Sequence, residues 1–463
     1  MQSAMPPGAV SARFDDENLI AYGGLVPVVR LAERCGLPVL AAGLLRWKSS
    51  ANSAGAFPVV KMLTLIFGMV AGADSIDDMH RLRHGAMAKA FAGVRAPSTL
   101  GSFLRAFTHG HVQQLQAVFR GFVPERAAHT PLLPGVSEVA YVDIDDTVRR
   151  TYGYAKQGAG IGYSKVKGLN ALIATISTPL ARPVIAAVRL RRTAVNSARG
   201  ATSFVAEALR TARACGATGL VVLRADSAFY NADVIAAARR LGACFSITAR
   251  MNPAIRAAIA SISETAWVAI KYPQALWDED GQCWISDAEI AEITYTAFTG
   301  RNKSEQVTAR LVVRRVKRLN GAGVPPGQGE LFTTWRFHAV FTDSPLTLLE
   351  TEKAHRAHAI IEQVIADLKN SALTHLPSGV FAANAAWLVL AALAYNLTRA
   401  SGALASAFHA RATTATIRDD LIQVPARLAT SARRQTWHLP AQWPAAHAWQ
   451  QLLTTTHAPP IPA

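Results

Sequence analysis

An α/β protein is predicted: a mixed sheet with flanking helices, interrupted by a β-rich insertion, plus a helical N-terminal domain and a helical C-terminal region. Three observations lead there. Apolar residues recur at helical spacing from about Asn18 to Arg126, and after a linker at Pro131 to Val136 the spacing becomes that of strands. From Val139 to Ala249 the order reads three strands, helix, strand, helix, strand, which calls for a mixed sheet with helical crossovers. Between Asn252 and Thr334 short alternating segments rich in Trp and Tyr break that rhythm. The divisions that follow are 1–130, 137–250, 251–334, 335–403 and 404–463.

Taken in order, Ser98 or Thr99 is expected to cap a helix running on through Phe103, Phe107, Leu115 and Phe119. Val139 to Asp145 is the first strand, and Leu169 to Ser177 and Pro183 to Arg191 the next two, joined as a meander. Ala201 to Cys215 is a helix, Gly219 to Asp226 a buried strand, Asn231 to Leu241 a helix and Ala243 to Ala249 a strand. In the insertion, Ile293 to Phe298 and Val307 to Val316 alternate as strands. The cluster Arg310, Arg314, Arg315, Lys317 and Arg318 reads as either a solvated sheet edge or a DNA contact. Asn320 to Glu330 is a Gly/Pro-rich loop, Trp335 to Thr342 a strand, and a long helix runs from Leu346 or Glu352 to Lys369. Phe381 to Leu397 is expected to be a buried helix, and so is the apolar run Pro58 to Gly72: the first contains Asn384 and Asn396, the second Lys61. No membrane partner is expected.

Charge bounds the partner. Lys and Arg number 48 against 31 Asp and Glu in 463 residues, a net charge of +17, which favours a polyanion. Half the residues are hydrophobic, enough for a sizeable core. The four cysteines are far apart in sequence and suggest neither a zinc module nor a disulfide framework, so a reducing cytoplasmic setting is expected, without a signal peptide.

Acids at strand ends are the chemical signal. Side chains alternate along a strand, so Val139, Tyr141, Asp143 and Asp145 share one face. A carboxylate on a buried strand needs a cation or a metal, although Asp146-Thr147 can also be read as a turn. Gly219 to Asp226 is a second buried strand ending in an acid. On a helical wheel His355, His358, Glu362 and Lys369 fall on one arc, opposite Ile361, Val364, Ile365 and Leu368. Three carboxylates suffice for two Mg²⁺ ions, with one bridging and two holding one ion each. Between the first two strands, Tyr152 to Gly168 carries Lys156, Lys165 and Lys167 among glycines and tyrosines, suited to gripping phosphate or forming a plain hairpin loop.

These motifs bring a resemblance. Asp145-Asp146-Thr147, Arg224-Ala-Asp226-Ser-Ala-Phe229-Tyr230 and the helix with Glu362 seven residues before Lys369 resemble DDE insertion-sequence transposases with a ribonuclease H-like core, in the group with a β-rich insertion before the catalytic glutamate. Tyr152-Gly-Tyr-Ala-Lys-Gln-Gly and Phe245-Ser-Ile-Thr-Ala-Arg250 resemble the bacterial insertion-sequence family numbered thirteen-eighty. The resemblance implies Asp145, Asp226 and Glu362 as catalytic metal ligands for two Mg²⁺ ions, with Mn²⁺ able to substitute, and Lys369 on transposon-end phosphates. That family's helix motif has Tyr and Arg where this chain has His355 and His358, which can still donate to phosphate. Asp143 competes as the first ligand; Asp145 is favoured as nearer the strand end.

The function expected is a transposase that binds terminal inverted repeats in double-stranded DNA, cuts the ends and joins them to target DNA. It would act as a homodimer in the DNA complex, at the bacterial nucleoid. The alternatives are a structure-selective nuclease without strand transfer and an inactive, transposase-derived DNA-binding protein.

Overall fold

The computed structural model describes residues 10–47, 53–153, 155–162, 165–193, 199–317, 335–432 and 434–458. The loop expected at Asn320 to Glu330, together with Arg318, Tyr154, Tyr163 and Ser164, lies outside them. The chain forms two compact units, one of residues 133–152 and 158–366, the other of 1–132, 153–157 and 367–463.

The first unit is built on one large mixed sheet. Strand β1 (Val139–Arg150) pairs antiparallel with β2 (Lys167–Thr178), which pairs antiparallel with β3 (Ala181–Arg192). On its other side β1 runs parallel to β4 (Leu220–Ala225), and β4 parallel to β5 (Cys244–Thr248). Parallel neighbours need crossovers, and helices α1 (Ala201–Ala214) and α2 (Ala232–Arg240) supply them, α2 capped by the Asn231 side chain. Both faces of β4 are buried, which is why it reads as a continuous apolar run.

Three long strands after helix α3 (Pro253–Ala260) continue this sheet, while Leu276–Asp278 and Cys283–Ile285 pair in a small sheet of their own. Strands β6 (Ala288–Ala297), β7 (Val307–Lys317) and β8 (Trp335–Thr342) form an antiparallel run, and β8 also pairs with β5 through Thr342 and Ser246. Strand β7 is therefore interior rather than an edge, and its arginines are matched by acids. Arg310 meets Glu292 at 2.5 Å, Arg315 meets Glu289 at 2.6 Å, and Arg314 meets Glu352 at 2.5 Å. Neither the solvated edge nor the DNA contact expected of this cluster fits that pairing.

The other unit is helical around Phe381–Ala405. This helix is long and apolar enough to cross a membrane by length and composition, yet 89% of its most apolar window is buried inside the fold. It is apolar all round, so it needs partners on every side. Helices Leu25–Arg34, Pro58–Val70, Pro97–Arg105, His109–His129 and Ala446–His457 provide them. This differs from the expected layout: 367–403 packs with the N-terminal helices, and the described residues from 404 to 458 include strands as well as helices. Strands Ala426–Ser431 and Arg434–His438 form a small sheet with Leu19–Ile20. The helix expected from Ser98 is two helices. Pro97 opens the first without a side-chain cap, and Thr108 opens the second, accepting from the His111 backbone N–H.

Candidate active site

The site lies where β1 and β4 run side by side. Their register is constant at 81 residues, pairing Asp143 with Arg224 and Ile144 with Ala225. Asp145 and Asp226 follow that last pair on the two chains, close enough that the charge of Asp226 acts on Asp145. Strand β1 does not end at Asp145 as expected. It continues to Arg150 against β2, and the turn reading of Asp146-Thr147 falls away. What ends at Ala225 is β4, so from Asp145 onward β1 loses its neighbour on that side. The consequence is an open notch holding two aspartates.

Two rows cross the sheet here. In the first, Asp143 is fully buried and Arg224 grips both its oxygens at 2.7 Å, a bidentate pair; the Arg224 guanidinium also lies 4.1 Å from the Tyr141 ring centroid and donates to the Ala354 carbonyl at 2.5 Å. Burial works against ionising Asp143, but Arg224 and His358 hold its carboxyl below the usual range. Both Asp143 oxygens are thus engaged by Arg224, and one of them also by His358.

The second row is different. Asp145 accepts the Asp146 backbone N–H at 2.7 Å, and Asp226 accepts the Ala228 N–H at 3.0 Å, capping a short 3-10 turn. Among the described residues neither has an Arg or Lys partner, whereas Asp146, on the opposite face, is held by Arg191 at 2.6 Å. Burial first, and then the charge of Asp226, pushes Asp145 up to about 6. Partial burial raises Asp226 too, with His358 pulling the other way. Two adjacent carboxylates raised in this way are a donor set that a divalent cation would relieve.

The glutamate arrives on a helix pinned across these rows. The long helix expected from sequence is two, α4 (Leu348–Arg356) and α5 (Ile360–Lys369), joined by a 3-10 turn at Ala357–Ala359. His355 sits between Ser246 Oγ at 2.9 Å and Thr248 Oγ1 at 3.0 Å on β5, and His358 Nδ1 lies 2.8 Å from Asp143 on β1. Gln363 then accepts from Arg182 at the start of β3. Helix α5 thus crosses the sheet with Ile361, Val364, Ile365 and Leu368 buried, and Glu362, one turn past His358, is exposed. The structure brings Asp145 and Asp226 together and leaves Glu362 on the helix. Among the described residues no three acid, His or Cys side chains stand in a metal-holding group.

The other candidates separate. Both ring nitrogens of His355 are engaged by hydroxyls, and Nδ1 of His358 by Asp143. The two histidines anchor the helix. Burial, then the charges of His358 and Arg224, pushes His355 down to about 3. Neutral in the folded protein and near 6.5 when unfolded, it contributes stability that is present above about pH 6.5 and lost as pH falls toward 3. His355→Gln is expected to flatten that acid limb by on the order of a few kcal/mol relative to the parent, read by denaturant unfolding at pH 7 and pH 4. An identical pH dependence in both proteins would contradict the assignment.

Lys156 Nζ donates to the Leu376 carbonyl at 2.5 Å and belongs, like Lys369, to the helical unit. Lys165 and Lys167 are exposed in the sheet unit, Lys165 with a left-handed φ of 55°. The Arg224–Asp143 pair was missed as a site feature. Its signal was Asp143-x-Asp145 and Arg224-x-Asp226, two pairs with equal spacing.

An α/β sheet of this order, three antiparallel strands followed by two parallel ones, is consistent with the ribonuclease H-like core of DDE transposases. Comparison with family models agrees over nearly the whole length. The model described as transposase DDE domain group 1 matches residues 4–458, and the chain belongs to that family. No curated protein matches it.

Proposed function

We propose that this transposase binds terminal inverted repeats, hydrolyses the phosphodiester at each transposon end, and transfers the freed 3′-hydroxyls to target DNA. The observation that carries the reading is the unpaired Asp145–Asp226 couple facing a helix that bears Glu362, in a chain of the DDE family. Asp145 and Asp226 would hold divalent ions, with Glu362 joining from α5 when DNA is in place. When bound, two Mg²⁺ ions, or Mn²⁺, supply the charge that activates the attacking oxygen and stabilises the leaving one.

This chain's own residues set the stage. Arg224 neutralises Asp143 so that the sheet can carry an acid pair beside it, and His355 and His358 fix the helix over that pair. Both ends are cut together, so the active complex is a homodimer on DNA, working at the nucleoid. Within the family we place the chain in the thirteen-eighty group on the motifs around Tyr152 and Phe245.

The test uses the full chain and a duplex carrying the inverted repeats that flank its coding region. Nicking and joined product are expected in Mg²⁺ and neither in EDTA. Cleavage without any joined product would assign a nuclease, and cleavage unchanged in EDTA would end the metal reading.

A further inference from the structure

We infer that the far end of the β1–β2–β3 meander is a phosphate-binding row that holds the DNA strand flanking the cut. This rests on the transposase reading. Residues that pair across strands share a face, and the partners Arg149, Leu169 and Arg192 lie in one line across β1, β2 and β3. By alternation along β1, Arg149 is on the face of Asp143 and Asp145. Lys167, two residues from Leu169, joins the same face.

Arg192 and Lys167 are exposed, and Arg149 is partly so. The opposite face is occupied differently: helix α1 lies there, with its Glu207 on Arg189 at 3.0 Å. The cations therefore continue the site's own face past the acids.

Spacing fits a polynucleotide. Arg149 is four residues beyond Asp145, roughly 13 Å at a strand rise of about 3.3 Å. A strand of duplex crossing that distance would carry its phosphates to the row within a few nucleotides of one at the acid pair. Such contacts position without reading sequence.

The experiment measures binding of end DNA and of unrelated duplex against salt concentration, for the parent, Lys167→Gln/Arg192→Gln and Lys167→Glu/Arg192→Glu. Two lost phosphate contacts should reduce the slope of log K against log salt by about 2, for both duplexes alike. The control Arg210→Gln/Arg240→Gln, on α1 and on α2 packed against it, should keep the parental slope. Ethylation of phosphates a few nucleotides from the nick should weaken the parent and no longer matter in the double variants. A parental slope and ethylation pattern in folded double variants, with the parent binding and cutting normally, overturns the row alone. A parent that neither binds nor cuts DNA overturns the transposase reading and the row with it.

Discussion

Asp145→Asn, Asp226→Asn and Glu362→Gln are each expected to lower end cleavage by about a thousandfold or more while leaving end binding within a few-fold. An amide keeps the shape of the carboxylate but removes the charge that holds a divalent cation, and electrostatic stabilisation at a reacting phosphate accounts for several kcal/mol. The first two substitutions remove a raised, mutually repelling pair. They should therefore leave stability unchanged or increase it. Glu362, exposed one turn past His358, is the sharper test, because its partnership with the pair depends on DNA bringing them together. Near-normal cleavage by Glu362→Gln would remove it from the site and leave a two-acid centre. Gel assays of nicking beside anisotropy measurements of binding separate these outcomes.

The largest effect on folding is expected from Arg224→Met. It strands Asp143, fully buried, with the His358 ring as its remaining side-chain partner. Breaking a buried ion pair from one side costs about 3–5 kcal/mol, whereas removing both charges costs far less. The double variant Asp143→Leu/Arg224→Met should thus recover much of the loss, and a double-mutant cycle by urea unfolding measures the coupling. Equal and additive losses from the two single variants would show that the pair is not coupled. Because Arg224 also holds the Ala354 carbonyl, cleavage by the double variant should stay low even where stability returns.

Much of this arrangement was legible before any coordinates. The strands at Val139, Leu169, Pro183, Gly219 and Ala243 and the two crossover helices follow from a change of period that only one packing satisfies. Asp145 and Asp226 stood out because acids on apolar strands are costly. Legibility failed where packing between distant segments decides. The helix Phe381–Ala405 shows by its composition that it is buried, but not that N-terminal helices cover it. The insertion reads as strands, but its junction to β5 rests on three residue pairs that no local pattern encodes. The histidines looked like phosphate ligands on a helical wheel, since a wheel cannot reveal hydroxyls on a strand 107 residues away.

Sequence by itself determined the class of fold and singled out Asp145 and Asp226 as acids at the ends of apolar runs, because periodicity and residue pattern are local properties. Tertiary structure alone decided that Asp143 is spent on Arg224, that Asp145 and Asp226 come close with no Arg or Lys partner among the described residues, and that His355 and His358 anchor a helix. Those outcomes depend on a strand register and a helix crossing, where a slip of one residue would turn every side chain to the other face.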